Sequence, residues 1–134
     1  MQVIEFQIRT RQHNEMIDIT AEVESIVEKS GTANGICLVF CPHTTAGLTI
    51  NENADPSVRR DILTELSKIV PENDPDYSHS EGNSAAHVKA SLISSSVQII
   101  IENGRLLLGT WQGIYFCEFD GPRERKILMK IIEG

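Results

Sequence analysis

The chain has 134 residues, 40% of them hydrophobic and 23% charged, and 19 acidic against 12 basic side chains leave a formal net charge of −7. This is the balance of a folded globular domain, long enough to bury one core without disulfide or metal staples. The acidic surplus speaks against a general nucleic-acid binder, which needs a basic face, and against electrostatic membrane binding, so neither partner is expected.

No targeting segment is expected, because Glu5, Arg9, Arg11, Glu15 and Asp18 interrupt the first twenty residues. No run reaches the ~18 apolar residues of a spanning helix. Cys37, Cys41 and Cys117 form an odd set in apolar surroundings. They read as reduced core thiols, which fits a cytoplasmic location.

In chain order, the alternation of Val3, Phe6 and Ile8 predicts a first strand over 2–9, and Met16, Ile17 and Ile19 a short second one. Thr20 is placed to cap a helix carrying Val23, Ile26 and Val27, with Gly31 as its stop. In the run 35–42 (GICLVFCP) both alternating sets are apolar, which predicts a central strand buried on both faces. A strand over 48–51 follows. Asp55-Pro56 then opens a helix whose apolar face is Val58, Ile62, Leu66 and Ile69. Residues 71–82 have no period and read as a functional or mobile loop. Asn83 is the expected cap of a short helix through Ala85, Ala86, His87 and Ala90. Strands over 97–101, 106–108, 111–119 and 125–132, joined by Asn103-Gly104 and Asp120-Gly121-Pro122, complete an expected meander. Strands clustered at the end imply antiparallel pairing, hence a single α+β domain over 1–134.

Chemistry-bearing residues gather at the predicted element ends. Three of the four histidines, His43, His79 and His87, lie there. Three imidazoles are a standard way to hold zinc with one position open, although this spacing alone favours exposed loop histidines. At a helix N-terminus, His87 tends to stay neutral and able to bind a metal or act as a base. Cys37 and Cys41 stand about 13 Å apart along a strand and cannot share an ion. Lys89, Arg123 and Arg125 are either an anion-binding set or surface charges of an acidic chain. Glu52, Asp55, Glu81, Glu118 and Asp120 are acid/base or Mg²⁺ candidates, with capping and turn formation as the alternative, strongest for Asp55 and Asp120. Thr44 and Thr45 equally suit a turn. The signatures of serine hydrolases, nucleoside triphosphatases and dinucleotide binders are missing from the sequence.

The segments 43–48 (HTTAGL), 51–56 (NENADP), 79–89 (HSEGNSAAHVK), 109–113 (GTWQG) and 118–125 (EFDGPRER) closely resemble the YjbQ-like family, and in this order they cover nearly the whole chain. The resemblance implies an α+β domain of mostly antiparallel, β-sandwich-like sheets with two to three helices, assembled as a homotrimer. It also implies a weak secondary thiamine-phosphate synthase activity, a transferase reaction joining hydroxymethylpyrimidine diphosphate to thiazole phosphate with release of pyrophosphate. By the same resemblance His43, His79 and His87 are the expected ligands of a divalent metal, zinc foremost and Mg²⁺ as the other choice. His13 lies outside the matching segments and is expected to be an ordinary surface residue.

Within that frame Lys89, Arg123 and Arg125 are placed to stabilise the leaving pyrophosphate, with the backbone N–H groups at Asn83. Glu52, Glu81 and Glu118 would orient a metal-bound water or a ring amine. Thr44, Thr45, Asn51 and Gln112 complete the expected contacts to a phosphorylated small molecule. Asn53 and Ser84 depart from the family pattern, where an acidic residue and alanine are expected. Two other functions fit the same residues: a metal-dependent hydrolase of a phosphorylated small molecule, and a non-catalytic metabolite- or metal-binding trimer.

Overall fold

The first and last strands lie side by side. In the computed structural model, which describes residues 2–134, β1 (Ile4–Arg9) pairs antiparallel with β8 (Glu124–Glu133), Ile4 opposite Met129 and Arg9 opposite Glu124. On its other side β8 pairs with β3 (Gly35–Phe40), which pairs with β5 (Ser96–Glu102), and β5 turns into the two-residue β6 (Arg105–Leu106). The turn is Asn103-Gly104, both at positive φ (53° and 78°), as a tight hairpin requires. A second sheet has the order β2 (Glu15–Asp18), β7 (Gln112–Glu118), β4 (Ala46–Glu52). The C-terminal strands therefore do not form the expected meander: β7 leaves for the second sheet, and β8 inserts between β1 and β3.

The helices follow their local signals. In α1 (Thr20–Ser30) the stripe Val23 and Val27 is fully buried. Gly31, at φ 71°, closes it in the left-handed conformation, its N–H returning to the Glu28 carbonyl. Thr20 is the first helical residue rather than the cap; Asp18 accepts from its N–H and its hydroxyl. Helix α2 (Pro56–Ile69) starts as expected, with the Asp55 carboxylate accepting the Ser57 N–H at 2.9 Å. Its buried anchor is Leu66, while Ile69 lies outside the stripe and is exposed. Helix α3 (Ser84–Ile93) begins after Asn83, but that side chain does not cap it.

The main core lies between the sheets. Cys37, Val39, Ile99, Ile101, Ile127, Met129 and Ile131 from the larger sheet meet Leu48, Ile114 and Phe116 from the smaller one, with Ile19, Val23 and Val27 at one end. A second core joins the far side of the smaller sheet to α2 and α3 through Met16, Tyr115, Cys117, Leu66 and Ala86. The outer face of the larger sheet has no cover. Strand β3 is central but not buried on both faces: Ile36 and Phe40 are 47% and 39% exposed. Ile100 and Ile132, the partners of Ile36 on either side, are exposed with it.

Candidate functional site

Strand β7 delivers Glu118 inward at its last residue, in step with Ile114 and Phe116. Arg125 enters from β8 on the facing sheet and donates to both carboxylate oxygens, Nε to Oε1 at 2.8 Å and Nη2 to Oε2. Neither side chain is more than 4% exposed. The same Nη2 donates to the Thr45 hydroxyl at 2.8 Å, while Glu118 also accepts from the Thr10 hydroxyl at 2.8 Å and the Asp120 N–H at 2.9 Å. Burial pushes the Glu118 carboxyl up, but the hydrogen bonds from Arg125, Asp120 and Thr10, with the Arg125 charge, outweigh it and hold the group below the ordinary carboxylate range. Three expected site residues, Glu118, Arg125 and Thr45, are thus engaged with one another. They staple the two sheets and are not free for a phosphate.

The turn after Glu118 positions the next layer. Asp120 receives the Arg123 guanidinium at 3.1 Å and the Asn83 amide at 2.9 Å, fixing the start of α3 against the turn. Asn83 Oδ1 is buried without a partner. One turn into α3, His87 meets His79 from the loop, their rings edge to face with centroids 5.4 Å apart. His79 Nε2 lies 3.9 Å from Glu81. The pair stands between two adjoining clefts of about 430 and 290 Å³, both lined by His79 and Ser84, the first also by Glu72, Asp74 and Tyr77.

Lys89 is also in α3 but points inward and is 1% exposed. Its ammonium donates to Asn14 Oδ1 and Glu72 Oε1, each at 3.1 Å, and faces the Phe119 ring at 5.9 Å. The Glu72 carboxyl is raised by burial and lowered further by the Lys89 hydrogen bond and charge, with His13 and Asn14 assisting, and the net direction is down. His13 lies beside the site rather than apart from it, 3.5 Å from Glu72. Thr10, His13, Asn14 and Glu72 are the members that the sequence pattern passes over. Only the small residues of α3, Ala85, Ala86 and Ala90, hint that its neighbour Lys89 is enclosed.

His43 is elsewhere. β3 ends at Phe40, and the His43 ring continues the ladder: Nε2 meets both backbone groups of Lys126, accepting from its N–H at 3.0 Å in one tautomer and donating to its carbonyl at 3.1 Å in the other. Burial, and then the Arg125 charge, lower its pKa. Thr44, beside it, is exposed. Asn51, Glu52 and Gln112 lie at the other end of the smaller sheet, where Glu52 pairs with Gln112 while Ala46 pairs with Glu118. Six strand steps separate the ends, about 20 Å. There Asn51 bonds the Glu52 N–H, the Glu52 carbonyl accepts from Tyr115, and Gln112 closes its own turn onto Gly109. Among the described residues no three His, Cys, Asp or Glu side chains converge to hold an ion. His79 and His87 supply two nitrogens, short of the three or four protein ligands of a zinc site, so the expected three-histidine set is not assembled within one chain.

Two sheets sharing a core, α2 and α3 on the outer side of the smaller one, and a histidine- and lysine-bearing helix start beside a long loop define an α+β sandwich with its polar site at one end. The chain belongs to the YjbQ family, described as UPF0047 protein YjbQ-like, whose model matches residues 4–134. It is 54% identical over 126 residues to the UPF0047 protein YugU of Bacillus subtilis, covering 94% of this chain and 96% of that one. An uncharacterised conserved protein of the family from Clostridium acetobutylicum superposes with a TM-score of 0.94 at 62% identity, over 96% of this chain and 99% of the other. A YbjQ-like protein of unknown function from Sulfolobus solfataricus does so with a TM-score of 0.94 at 36% identity, over 99% and 97%.

Proposed function

We propose that this protein is a weak transferase of the thiamine-phosphate synthase type, acting on phosphorylated heterocycles at the start of α3. The observation that carries this reading is the His79–His87 pair, which places two imidazoles beside the free N–H groups of a ten-residue helix and above two open clefts. Imidazole N–H groups and a helix N-terminus are suited to hold a diphosphate as it leaves. In the reaction the methylene C–O bond of the pyrimidine diphosphate breaks, and pyrophosphate departs with the electron pair. The thiazole nitrogen then donates its lone pair to form the C–N bond, and no proton transfer is required. A divalent metal, zinc or Mg²⁺, is part of the proposal only as an ion that His79 and His87 hold with donors from outside this cluster; no step runs through it.

Assembly as a homotrimer belongs to the same proposal. The uncovered row Ile100, Ile36 and Ile132 supports it, since contiguous exposed apolar residues mark interaction surfaces. No described helix is long and apolar enough to cross a membrane. The three unpaired thiols favour a reducing compartment, the cytoplasm. The test is pyrophosphate release from hydroxymethylpyrimidine diphosphate with thiazole phosphate, wild type beside His87→Ala, with elemental analysis of both and sedimentation of wild type beside Ile36→Glu. Turnover lost in His87→Ala with the fold intact is the expected result. Binding without turnover would leave a metabolite-binding protein instead.

A further inference from the structure

The Lys89–Glu72 pair is lopsided. The ammonium is held by a helix, 1% exposed, while the carboxylate that reaches it belongs to the loop 71–82 and is 42% exposed. A structural ion pair of the interior has both members enclosed, as Glu118 and Arg125 do. Here the cation is fixed and its anion arrives from outside, which is the arrangement of a binding site and its ligand. The receptor is otherwise built: Asn14 takes one ammonium proton, Phe119 presents its ring, and one N–H points to the Glu72 oxygen.

The loop is tied inward at that same residue. Its other hydrogen bonds are its own: Tyr77 hydroxyl to the Pro71 carbonyl, Tyr77 N–H to the Asp74 carbonyl, Asp76 N–H to the Asp74 carboxylate and Gly82 N–H to the His79 carbonyl. Among the described residues, Glu72 alone ties the loop by hydrogen bond or ion pair to the rest of the molecule, to Lys89, His13 and Asn14. The loop also carries His79 and lines the larger cleft.

We infer that Lys89 is the floor of a binding site for a phosphoryl group, and that Glu72 fills it as a displaceable clasp until the phosphoryl group of a ligand takes its place. A phosphate oxygen is an acceptor like the carboxylate oxygen but carries more charge, so the exchange keeps every Lys89 contact and strengthens the ionic one. Displacement unties the loop at Glu72, while His79 keeps its packing against His87. This deepens the proposed function, resting on its phosphorylated substrate, and makes loop release the step that ligand binding drives.

The test uses inorganic pyrophosphate as the probe on the full chain, by calorimetry and by limited proteolysis within 71–82. Glu72→Gln removes the competing charge, so its affinity should exceed that of wild type by about tenfold, the factor by which the competent state is otherwise depleted. Pyrophosphate should speed cleavage of the wild-type loop and raise the melting temperature of Glu72→Gln more than that of wild type. Lys89→Met should abolish binding; should that variant not fold, the wild-type and Glu72→Gln comparison decides alone. Equal or weaker affinity in Glu72→Gln, or a loop whose cleavage ignores pyrophosphate, overturns the inference. These readouts are independent of turnover: binding of this kind without catalysis refutes the transferase and leaves the clasp, while catalysis without it does the reverse.

Discussion

Replacing Glu118 by Gln keeps the volume of the side chain and removes its charge. In wild type the carboxylate neutralises a guanidinium that is 4% exposed and accepts from the Thr10 hydroxyl and the Asp120 N–H. The amide would turn its NH₂ toward donors it cannot accept from, leaving Arg125 buried and half satisfied. Breaking a buried pair on one side costs about 3–5 kcal/mol, a large part of a total stability of about 5–15 kcal/mol. At a urea dependence of about 2 kcal/mol per molar, the unfolding midpoint should fall by roughly 2 M. The assay is equilibrium unfolding in urea with an unchanged slope. Replacing both members, Glu118→Leu with Arg125→Met, should restore most of the loss, because no lone charge remains. A midpoint within 0.5 M of wild type for Glu118→Gln would refute the staple and return Glu118 to the list of catalytic candidates. The pH dependence has a definite sign. The folded carboxyl lies below its ordinary 4.5, so its contribution is present above that pH and drains away as pH falls through the folded value; Glu118→Gln should lack this component.

His43 titrates lower in the fold than its ordinary 6.5, so wild-type stability should decline as pH falls below 6.5 by a component absent from His43→Gln, read from urea midpoints across pH 5–8; parallel curves would contradict the lowering by partial burial and the Arg125 charge. Phe116→Ala should cost about 3–5 kcal/mol and Phe40→Ala about 1 kcal/mol at low protein concentration, since the first is fully buried and the second 39% exposed; equal losses would mean that the outer face is covered. Burial pushes the thiols of Cys37 and Cys117 up to about 11 and about 12, so iodoacetamide at pH 8 should label neither in the folded protein, and labelling within minutes without denaturant would show local opening.

Elements set by local chemistry were legible in the sequence. Asp55-Pro56 and Gly31 mark helix ends with side-chain or backbone geometry that needs no distant partner. The larger errors concern what faces what. An apolar run such as 35–42 gives the same pattern whether its second face meets protein or solvent, so the open side of β3 was invisible. Chain order suggested a meander, but β8 is hydrogen-bonded along both edges, to β1 and to β3, in the sheet that β7 has left. In the site, the inward position of Glu118 followed from alternation with Ile114 and Phe116. Its partner did not, because Arg125 comes from the opposite sheet. Lys89 gave no cue to Glu72, which lies in a segment without period, and within one chain Glu52 and Gln112 do not join Glu118, because the β4–β7 pairing holds them at the other end of the sheet, some 20 Å away.

The placement of β8 bears on how the molecule is made. Both β1 and β3 hydrogen-bond to it, yet it follows every other described strand in chain order. At about 5–20 residues per second, β3 waits roughly five to twenty seconds after emerging before Glu133 exists to pair with Gly35. Until β8 emerges the edge of β3 has no lasting partner on that side, and the larger sheet closes only when β8 arrives between β1 and β3. A nascent chain stalled before residue 124 is therefore a natural client for chaperones, because the ten residues of β8 join the two halves of the larger sheet.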